Sequence, residues 1–427
     1  MPFRSLVLAA ALLAALGASA FAAPLQQNGT FARGGSYVLR PDPGSSIASI
    51  ALWFRAPGYG YGAPTPGIGQ LAAASCAAVR LAGGKSLVEQ IRALGGRLAF
   101  GGDADMITID VTVPAGSARR ALAALTAAYF APKVDDDAYK LALRDTAVRG
   151  VERRYATGST VTDLLLENLF ASGPAHVPAL PGSADAIASI SREDVAAFAA
   201  LAFRSNNAYV AIAGNVEPSI ADAVTDGDAS VPPAPFAGTS RLAPAGASAT
   251  ADGLEAAIGM GFAGPPITDR RAATALDFIA GYLFGDDGTV AKALSSTKAR
   301  VDGSFLTLRD SGVTVVSITG GDLAAGSAAV RSAVDAMRTP LSADAFASAR
   351  RAFAYRSARN WSIPDALVDD LAWYALQGDA AYAPGDASGT YARTVASLDP
   401  AYVALIARTY LQRPTVLDVV VPKGSAS

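Results

Sequence analysis

The chain has 427 residues, of which 51% are hydrophobic and 17% charged, and its formal net charge at pH 7 is −2. At ~150 residues per domain this length predicts two or three domains, and the hydrophobic fraction excludes a largely disordered chain. The near-zero net charge, without any run of basic residues, argues against a nucleic acid partner, because binding to a phosphate backbone requires a basic surface.

Residues 1–23 are typical of a secretory signal peptide. Arg4 supplies the positive charge and residues 6–16 form the apolar stretch. Ala18-Ser19-Ala20 and Ala20-Phe21-Ala22 both match the small-x-small pattern of a cleavage site. The stretch is too short for a membrane-spanning helix, which needs ~20 residues. We therefore expect export to the periplasm or out of the cell, cleavage within residues 20–23, and no membrane insertion of the mature chain.

Cys76 is the single cysteine of the chain, so an intrachain disulfide is impossible. It lies in an Ala-rich stretch with helical character, and we interpret it as a small buried apolar residue. Hydrophobic cores must hold the fold together, and a chain of this length can provide them.

Residues 231–250 mark the clearest change in composition, because Pro, Ala, Gly and Ser dominate this segment. No periodic apolar pattern crosses it, and proline restricts the backbone while removing hydrogen-bond donors. We interpret the segment as a linker between an N-terminal domain of residues 24–230 (the first half) and a C-terminal domain of residues 251–427 (the second half).

The first half begins with strands and then alternates helices with strands. The predicted strands are 36–40, 47–55, 98–100 and 106–113, and the predicted helices are 67–82, 85–94, 117–130 and 135–154. Strict alternation over MITIDVTV makes 106–113 the strongest strand signal, and Gly95 and Gly96 are typical of a helix C-terminus.

The second half repeats this order of elements. Its predicted strands are 256–262, 304–308 and 312–319, and its predicted helices are 269–284, 326–338 and 342–358. The pattern predicts an α+β fold of two homologous domains, each with a largely antiparallel sheet and helices packed on one face.

Four segments of the first half resemble the pitrilysin/insulinase (inverzincin) family of metallopeptidases. They are YVLRPDPGS and the strand that follows it at 37–55, IRALGGRLAFGGDADMITIDVTVPA at 91–115, the loop and helix at 169–203, and NNAYVAIAGNVEP at 206–218. A fainter match runs through residues 254–421. The resemblance implies the family's clamshell half and a peptide-binding chamber.

The zinc motif of that family, H-x-x-E-H on the first long helix, is not preserved. Two histidines one turn apart bind the metal, the intervening Glu activates water, and a distal Glu completes the ligands. The resemblance places Gln70 and Ala74 at the histidines, Ala73 at the general base and Val151 at the distal ligand, beside Glu152. An amide and methyl groups cannot hold zinc, so we expect no zinc and no catalytic residue.

His176 is the only histidine of the chain, so a site with two histidines is impossible whatever the alignment. A Ser-His-Asp triad would have to use this residue, but no G-x-S-x-G motif precedes it. We interpret His176 as a loop residue.

Two acidic runs, Asp135–Asp137 and Asp369–Asp370, are further candidates for a functional site. Acidic residues favour the N-termini of helices, so we interpret both runs as solvated helix starts or exposed faces.

Non-catalytic relatives in the family keep an Arg and a Tyr seven residues apart, which assist the active subunit. The matching positions hold Ser295 or Ser296 and Asp302 or Gly303, so the resemblance predicts that this pair is absent.

Peptides in the family add as a strand to the sheet edge beside the active-site helix. The matching residues are Arg97, Leu98, Ala99, Phe100 and Gly101. Strand addition uses backbone hydrogen bonds and therefore tolerates changed side chains, so this edge is the predicted binding site for unfolded peptides.

Three functions remain open at this point. The first is an inactive subunit that pairs with an active zinc peptidase of the same family to complete a peptide-degrading chamber, since one chain supplies only half of it. The second is a stand-alone periplasmic peptide-binding or scaffold protein. The third is an enzyme with a new site.

Overall fold

A computed structural model describes ten segments of the protein. They are residues 26–31, 34–55, 67–102, 106–152, 158–170, 184–224, 246–295, 297–309, 311–376 and 387–421. The strands in these segments are β1 (Gln27–Thr30), β2 (Ser36–Pro41), β3 (Ile47–Arg55), β4 (Arg97–Gly102), β5 (Met106–Pro114), β6 (Ala208–Gly214), β7 (Ser248–Asp252), β8 (Ala257–Ala263), β9 (Arg300–Leu306), β10 (Val313–Thr319) and β11 (Thr415–Val420).

The helices in the described segments follow the same duplicated arrangement. They are α1 (Ile68–Ala78), α2 (Leu87–Ala93), α3 (Ala118–Tyr129), α4 (Asp136–Glu152), α5 (Gly158–Phe170), α6 (Ala184–Ala188), α7 (Arg192–Ala202), α8 (Arg270–Phe284), α9 (Thr289–Ala293), α10 (Leu323–Ala336), α11 (Ala343–Asn360), α12 (Pro364–Leu376), α13 (Ala387–Ala396) and α14 (Pro400–Tyr410).

Two sheets form the framework of the molecule. The first has the order β1-β2-β6-β3-β5-β4 and the second the order β7-β11-β8-β10-β9. Only β2 with β6 and β7 with β11 pair in parallel among the described strands. Without β1 the two orders correspond strand for strand, so the predicted α+β class, with its duplicated and largely antiparallel sheets, is confirmed.

Local sequence signals explain where several elements begin and end. Ser86 accepts a hydrogen bond from the Glu89 amide while the Glu89 carboxylate accepts one from the Ser86 amide, which forms a capping box at the start of α2. Gly95 has φ of 75° just after this helix, a conformation that side chains disfavour. The chain can therefore turn directly from α2 into β4.

Each half contributes one helix to the sheet of the other half. Helix α5 packs on β8, β10 and β11 of the second sheet, where Val161 and Leu165 are fully buried. Helix α12 packs on β3 and β6 of the first sheet through Leu367, Val368 and Leu371. The helices of the same half cover the opposite face, so the central strand β3 is buried along nearly its whole length.

Several predictions concern residues at or beyond the limits of the described segments. Residues 1–25 and 225–245 are outside them, so the signal peptide and most of the predicted linker are not placed. Strand β7 begins at Ser248, so the last three residues of the predicted linker are part of a sheet, because their parallel pairing with β11 supplies hydrogen-bond partners. No helix in the described segments is both long and apolar enough to cross a membrane.

Candidate functional site

Helix α1 is the element on which the resemblance places the zinc motif. It lies against α4, α7 and β4, and most of its side chains are buried in the core of the first half. Gln70 and Ala74, one turn apart, belong to its partly exposed stripe, whereas Ala73 between them is fully buried. The Ala73 carbonyl accepts a hydrogen bond of 2.8 Å from the Tyr129 hydroxyl.

The residues of this helix do not fit a catalytic zinc ion. Gln70 offers one neutral amide oxygen, and Ala73 and Ala74 offer no donor, whereas zinc requires three rigid ligands and an adjacent base. In the described segments no group of three His, Cys, Asp or Glu side chains could hold a metal. Val151 and Glu152 end α4, and His176 is outside the described residues.

Cys76 is one turn beyond Ala72 on the buried face of α1. Burial raises the pKa of its thiol to about 12, so the nucleophilic thiolate is not populated at neutral pH. The structure therefore agrees with the interpretation of Cys76 as an apolar core residue.

The positions of Gln70 and Ala74 on α1 allow a test in which zinc binding is introduced by substitution. We expect the double variant Gln70→His and Ala74→His to bind zinc measurably, because two imidazoles one turn apart on a partly exposed face can share a metal. Isothermal titration with zinc measures this effect. Each single variant is the control, since one imidazole should add little; equal binding by wild type and double variant would contradict the account of α1.

The predicted peptide-binding edge is strand β4, which ends the first sheet. No other strand of the described segments pairs with its outer side. Leu98 and Phe100 pack against the core on the side of α1, whereas Arg97 and Ala99 are exposed on the other face. Gly101 continues the strand, so the five predicted residues form one open edge beside α1.

Asp365, in the first turn of α12, connects this edge to the second half. Its carboxylate accepts hydrogen bonds from the Ser49 hydroxyl, from Thr112 Oγ1 at 2.8 Å and from Arg97 Nη2 at 3.1 Å. These hydrogen bonds attach α12, the helix that the second half contributes to the first sheet, to strands β3, β5 and β4. Sequence reasoning did not identify Asp365, because its partners are far away along the chain.

Two further carboxyl groups lie close to Asp365. Asp110 on β5 accepts a hydrogen bond of 2.7 Å from Trp53 Nε1, and burial raises its pKa to about 6. Burial and the charges of Asp110, Asp370 and Asp365 raise the pKa of Asp369 to about 7. Asp365 thus accepts three hydrogen bonds, whereas the charged forms of Asp110 and Asp369 are disfavoured.

The two acidic runs singled out in the sequence have different surroundings. Asp135, Asp136 and Asp137 are exposed at the start of α4, where Asp135 accepts a hydrogen bond from the Ala138 amide at 2.8 Å. Asp369 is exposed, as predicted, whereas Asp370 is half-buried and lines a cavity of the second half, so the interpretation as an exposed residue does not hold for Asp370. Helix α12 is covered on two sides by different halves, and its sequence alone does not show this.

Comparisons with known proteins agree on the fold. No family model matches the sequence, and no curated protein matches it significantly. The structure is similar to a protease from Helicobacter pylori with a TM-score of 0.79 and 13% identity, over 93% of this chain and 100% of that one.

Two further structures carry the same fold. A putative M16-like peptidase from Alicyclobacillus acidocaldarius has a TM-score of 0.71 and 13% identity, over 93% of this chain and 98% of that one. A peptidase M16 inactive domain from Pseudomonas fluorescens has a TM-score of 0.72 and 16% identity, over 93% and 99%. The fold implied by the sequence resemblance is therefore confirmed: this chain has the fold of M16-type peptidases.

Proposed function

We propose that this chain is an inactive member of the pitrilysin-type peptidases, which binds unfolded peptides and pairs with an active zinc peptidase of the same fold. The proposal rests on two features that lie side by side, the missing zinc ligands on α1 and the open edge of β4. The helix has Gln70, Ala73 and Ala74 where a zinc peptidase needs ligands and base, yet the strand beside it keeps an open edge.

The family resemblance and the geometry support the proposal of a second chain. Two homologous sheets are present, and α5 and α12 interlock them into one body. A chamber closed by four such units requires another chain. The likeness to an M16 inactive domain supports a partnership in which one chain supplies chemistry and the other supplies binding surface.

Export belongs to the same proposal. A signal peptide at residues 1–23 would bring the chain to the periplasm or the exterior, where peptides from damaged or imported proteins are available. N-terminal sequencing of the mature protein would locate cleavage within residues 20–23 or show that the segment is retained.

Capture of the partner tests the proposal directly. The mature chain, tagged at its C-terminus, is used to isolate binding proteins from periplasmic extract, and peptide cleavage is measured for the chain alone and for the complex. We expect a partner with an intact H-x-x-E-H motif and cleavage by the complex only. A homodimer that binds peptides without cleaving them would support the stand-alone alternative, and chelator-resistant cleavage by the pure chain would refute both.

Proline substitutions in β4 test peptide binding at the predicted edge. In an antiparallel pair successive N–H groups alternate between the neighbouring strand and the free edge, and proline removes the N–H group. Leu98→Pro and Ala99→Pro therefore remove one N–H group on each side of β4. We expect the variant that loses the N–H group of the free edge to bind peptides about tenfold or more weakly, with little change in stability. The other should mainly lower stability, because it interrupts the pairing with β5.

Fluorescence anisotropy of a labelled unfolded peptide measures the binding, and thermal unfolding measures the stability of each variant. If both proline variants fold and bind the peptide as well as wild type does, β4 is not the binding edge.

A further inference from the structure

The second half contains a cavity of about 520 Å³ beside β9. Its walls come from α8, β9, α11, α12 and α13, and its volume is within the range of small-molecule sites. The correspondence of the two sheets makes α8 and β9 the counterparts of α1 and β4. The cavity thus occupies the place in the second half where the first half has its degenerate site.

Aromatic side chains form much of the cavity wall. They are Phe305, Phe353, Trp361, Trp373, Tyr374 and Tyr391. The Tyr391 ring is 6.2 Å from the Trp361 ring and 6.5 Å from the Phe353 ring, centroid to centroid. Aromatic faces carry negative electrostatic potential and attract cations.

Two carboxyl groups also line this cavity. Asp277 on α8 accepts a hydrogen bond of 3.1 Å from the Tyr391 hydroxyl, and Asp370 on α12 accepts one from the Trp361 side chain. Neither carboxylate forms an ion pair with any described residue. The nearby Arg356 guanidinium is directed to the Gly281 carbonyl, at 3.2 Å.

This arrangement has an electrostatic consequence. Buried carboxylates are costly unless a cation pairs with them. Burial raises the pKa of Asp277 to about 7, with a further contribution from the charge of Asp370, and burial raises the pKa of Asp370 to about 6. A cation in the cavity would remove that cost, since it would pair with both carboxylates.

We propose that the cavity between α8, β9 and α12 binds an organic cation, an ammonium or guanidinium group, between Asp277 and Asp370 and against the faces of Trp361 and Tyr391. The aromatic lining suits the apolar carbon atoms that carry such a group. A divalent metal ion is a poorer match, because calcium requires six to eight oxygen ligands and the described residues of the cavity wall include two carboxylates. This site is independent of peptide binding at β4.

The cation can come from a free amine or from a basic side chain of a bound peptide. Gly303 and Ser304 of the outer strand β9, and Thr307 just after it, line the cavity, so a peptide that passes along this strand could insert a lysine side chain. The chemistry is the same in both cases, and two probes distinguish the sources.

Tryptophan fluorescence offers a direct test, because two of the three tryptophans, Trp361 and Trp373, line the cavity. The first probe is n-butylammonium. The second is an acetylated and amidated pentapeptide with a central lysine among alanines, and the same peptide with norleucine at its centre is the neutral comparison. Isothermal titration at pH 8 gives the affinities.

We expect a cationic probe to bind and the norleucine peptide to bind at least about tenfold more weakly, since norleucine cannot donate hydrogen bonds to the two carboxylates. Stronger binding of the lysine peptide than of n-butylammonium identifies a basic side chain as the ligand, whereas equal binding identifies a free amine.

Charge-neutral variants connect the binding to the two carboxylates. Asp277→Asn and Asp370→Asn keep shape and a hydrogen-bond acceptor, and each should weaken binding by about tenfold or more. Asp418→Asn on the exposed side of β11 is the matched control and should bind as wild type does. Unchanged affinity in the folded double Asn variant, or no binding of either cation to wild type, would overturn the proposal while leaving peptide binding at β4 unaffected.

Discussion

We expect Asp365→Ala to lower the free energy of unfolding by about 2 kcal/mol, and Asp369→Ala, one turn further along α12, to leave it unchanged or raise it. Hydrogen bonds to a charged group contribute ~1.5–3 kcal/mol, and Asp365 accepts them from Ser49, Thr112 and Arg97. Removal of its carboxylate leaves the buried Ser49 hydroxyl without this acceptor.

Asp369 has the opposite electrostatic situation. Its side chain is still exposed to solvent, but partial desolvation and three neighbouring carboxylates raise its pKa, so its charged form is disfavoured in the folded protein. Replacement by alanine removes this repulsion and keeps the helix propensity of α12.

Urea unfolding at pH 7 compares these two variants under one condition. Arg97→Ala is a useful control: the Arg97 and Asp365 side chains are 72% and 37% exposed, so their ion pair should contribute less than about 1 kcal/mol. Equal losses of stability for Asp365→Ala and Asp369→Ala would show that the two carboxylates are equivalent, contrary to the structure.

The free energy of unfolding should be larger at pH 5 than at pH 8. The ordinary pKa of these Asp side chains is 3.8, whereas the pKa is about 7 for Asp277, and about 6 for Asp370 and for Asp110. Between these limits the folded chain holds more protons than the unfolded chain, so stability falls as pH rises. The contribution is complete below the unfolded pKa and is lost as pH rises through the folded pKa.

The size of this effect follows from the pKa shifts. One unit corresponds to ~1.4 kcal/mol, so Asp277 alone contributes at most about 4 kcal/mol over the whole range from its unfolded to its folded pKa, and at most about 3 kcal/mol of this lies between pH 5 and pH 8. Its coupling to Asp370 reduces the separable part. Urea titrations at several values from pH 5 to pH 8 measure the slope. Asp277→Asn should flatten it and stabilise the protein at pH 8; a wild-type stability that rises over this range would contradict the assignment of these carboxyl groups.

The amino-acid sequence predicts the elements whose patterns are local. The sequence predicts β3 with its observed bounds, because this strand is apolar along its length. It predicts β5 to within one residue, because the apolar residues of this strand alternate strictly. Strand β9 begins at Arg300 and was predicted to begin at residue 304. The charged residues Arg300 and Asp302 lie on the exposed face of this outer strand. Because they make the first residues of β9 polar, the sequence does not indicate a strand there.

Contacts between distant segments are what the sequence does not predict. The apolar face of α12 shows that it must be buried, but it does not show that the covering sheet belongs to the other half. The hydrogen bonds from Arg97 and Thr112 to Asp365 span 268 and 253 residues, and that from Tyr391 to Asp277 spans 114. The network around β4 and the cavity beside β9 therefore became visible only in the folded chain.

The candidate site on α1 is an intermediate case. Its helix was predicted from the sequence, whereas the significance of Gln70, Ala73 and Ala74 came from the family resemblance. Folding adds that Ala73 is a fully buried core residue whose carbonyl is bound by Tyr129. We expect Ala73→Glu to lower the stability of the chain, because a larger side chain at a fully buried position strains the core.

Whether this chain can hold a catalytic zinc ion by itself is measured most directly by elemental analysis combined with a peptidase assay on the same sample. The purified chain is equilibrated with zinc, freed of unbound metal by gel filtration, and tested on an unfolded peptide with and without chelator. We expect far less than one zinc per chain and no cleavage. Stoichiometric zinc together with cleavage that the chelator abolishes would contradict the assignment of this chain as an inactive subunit.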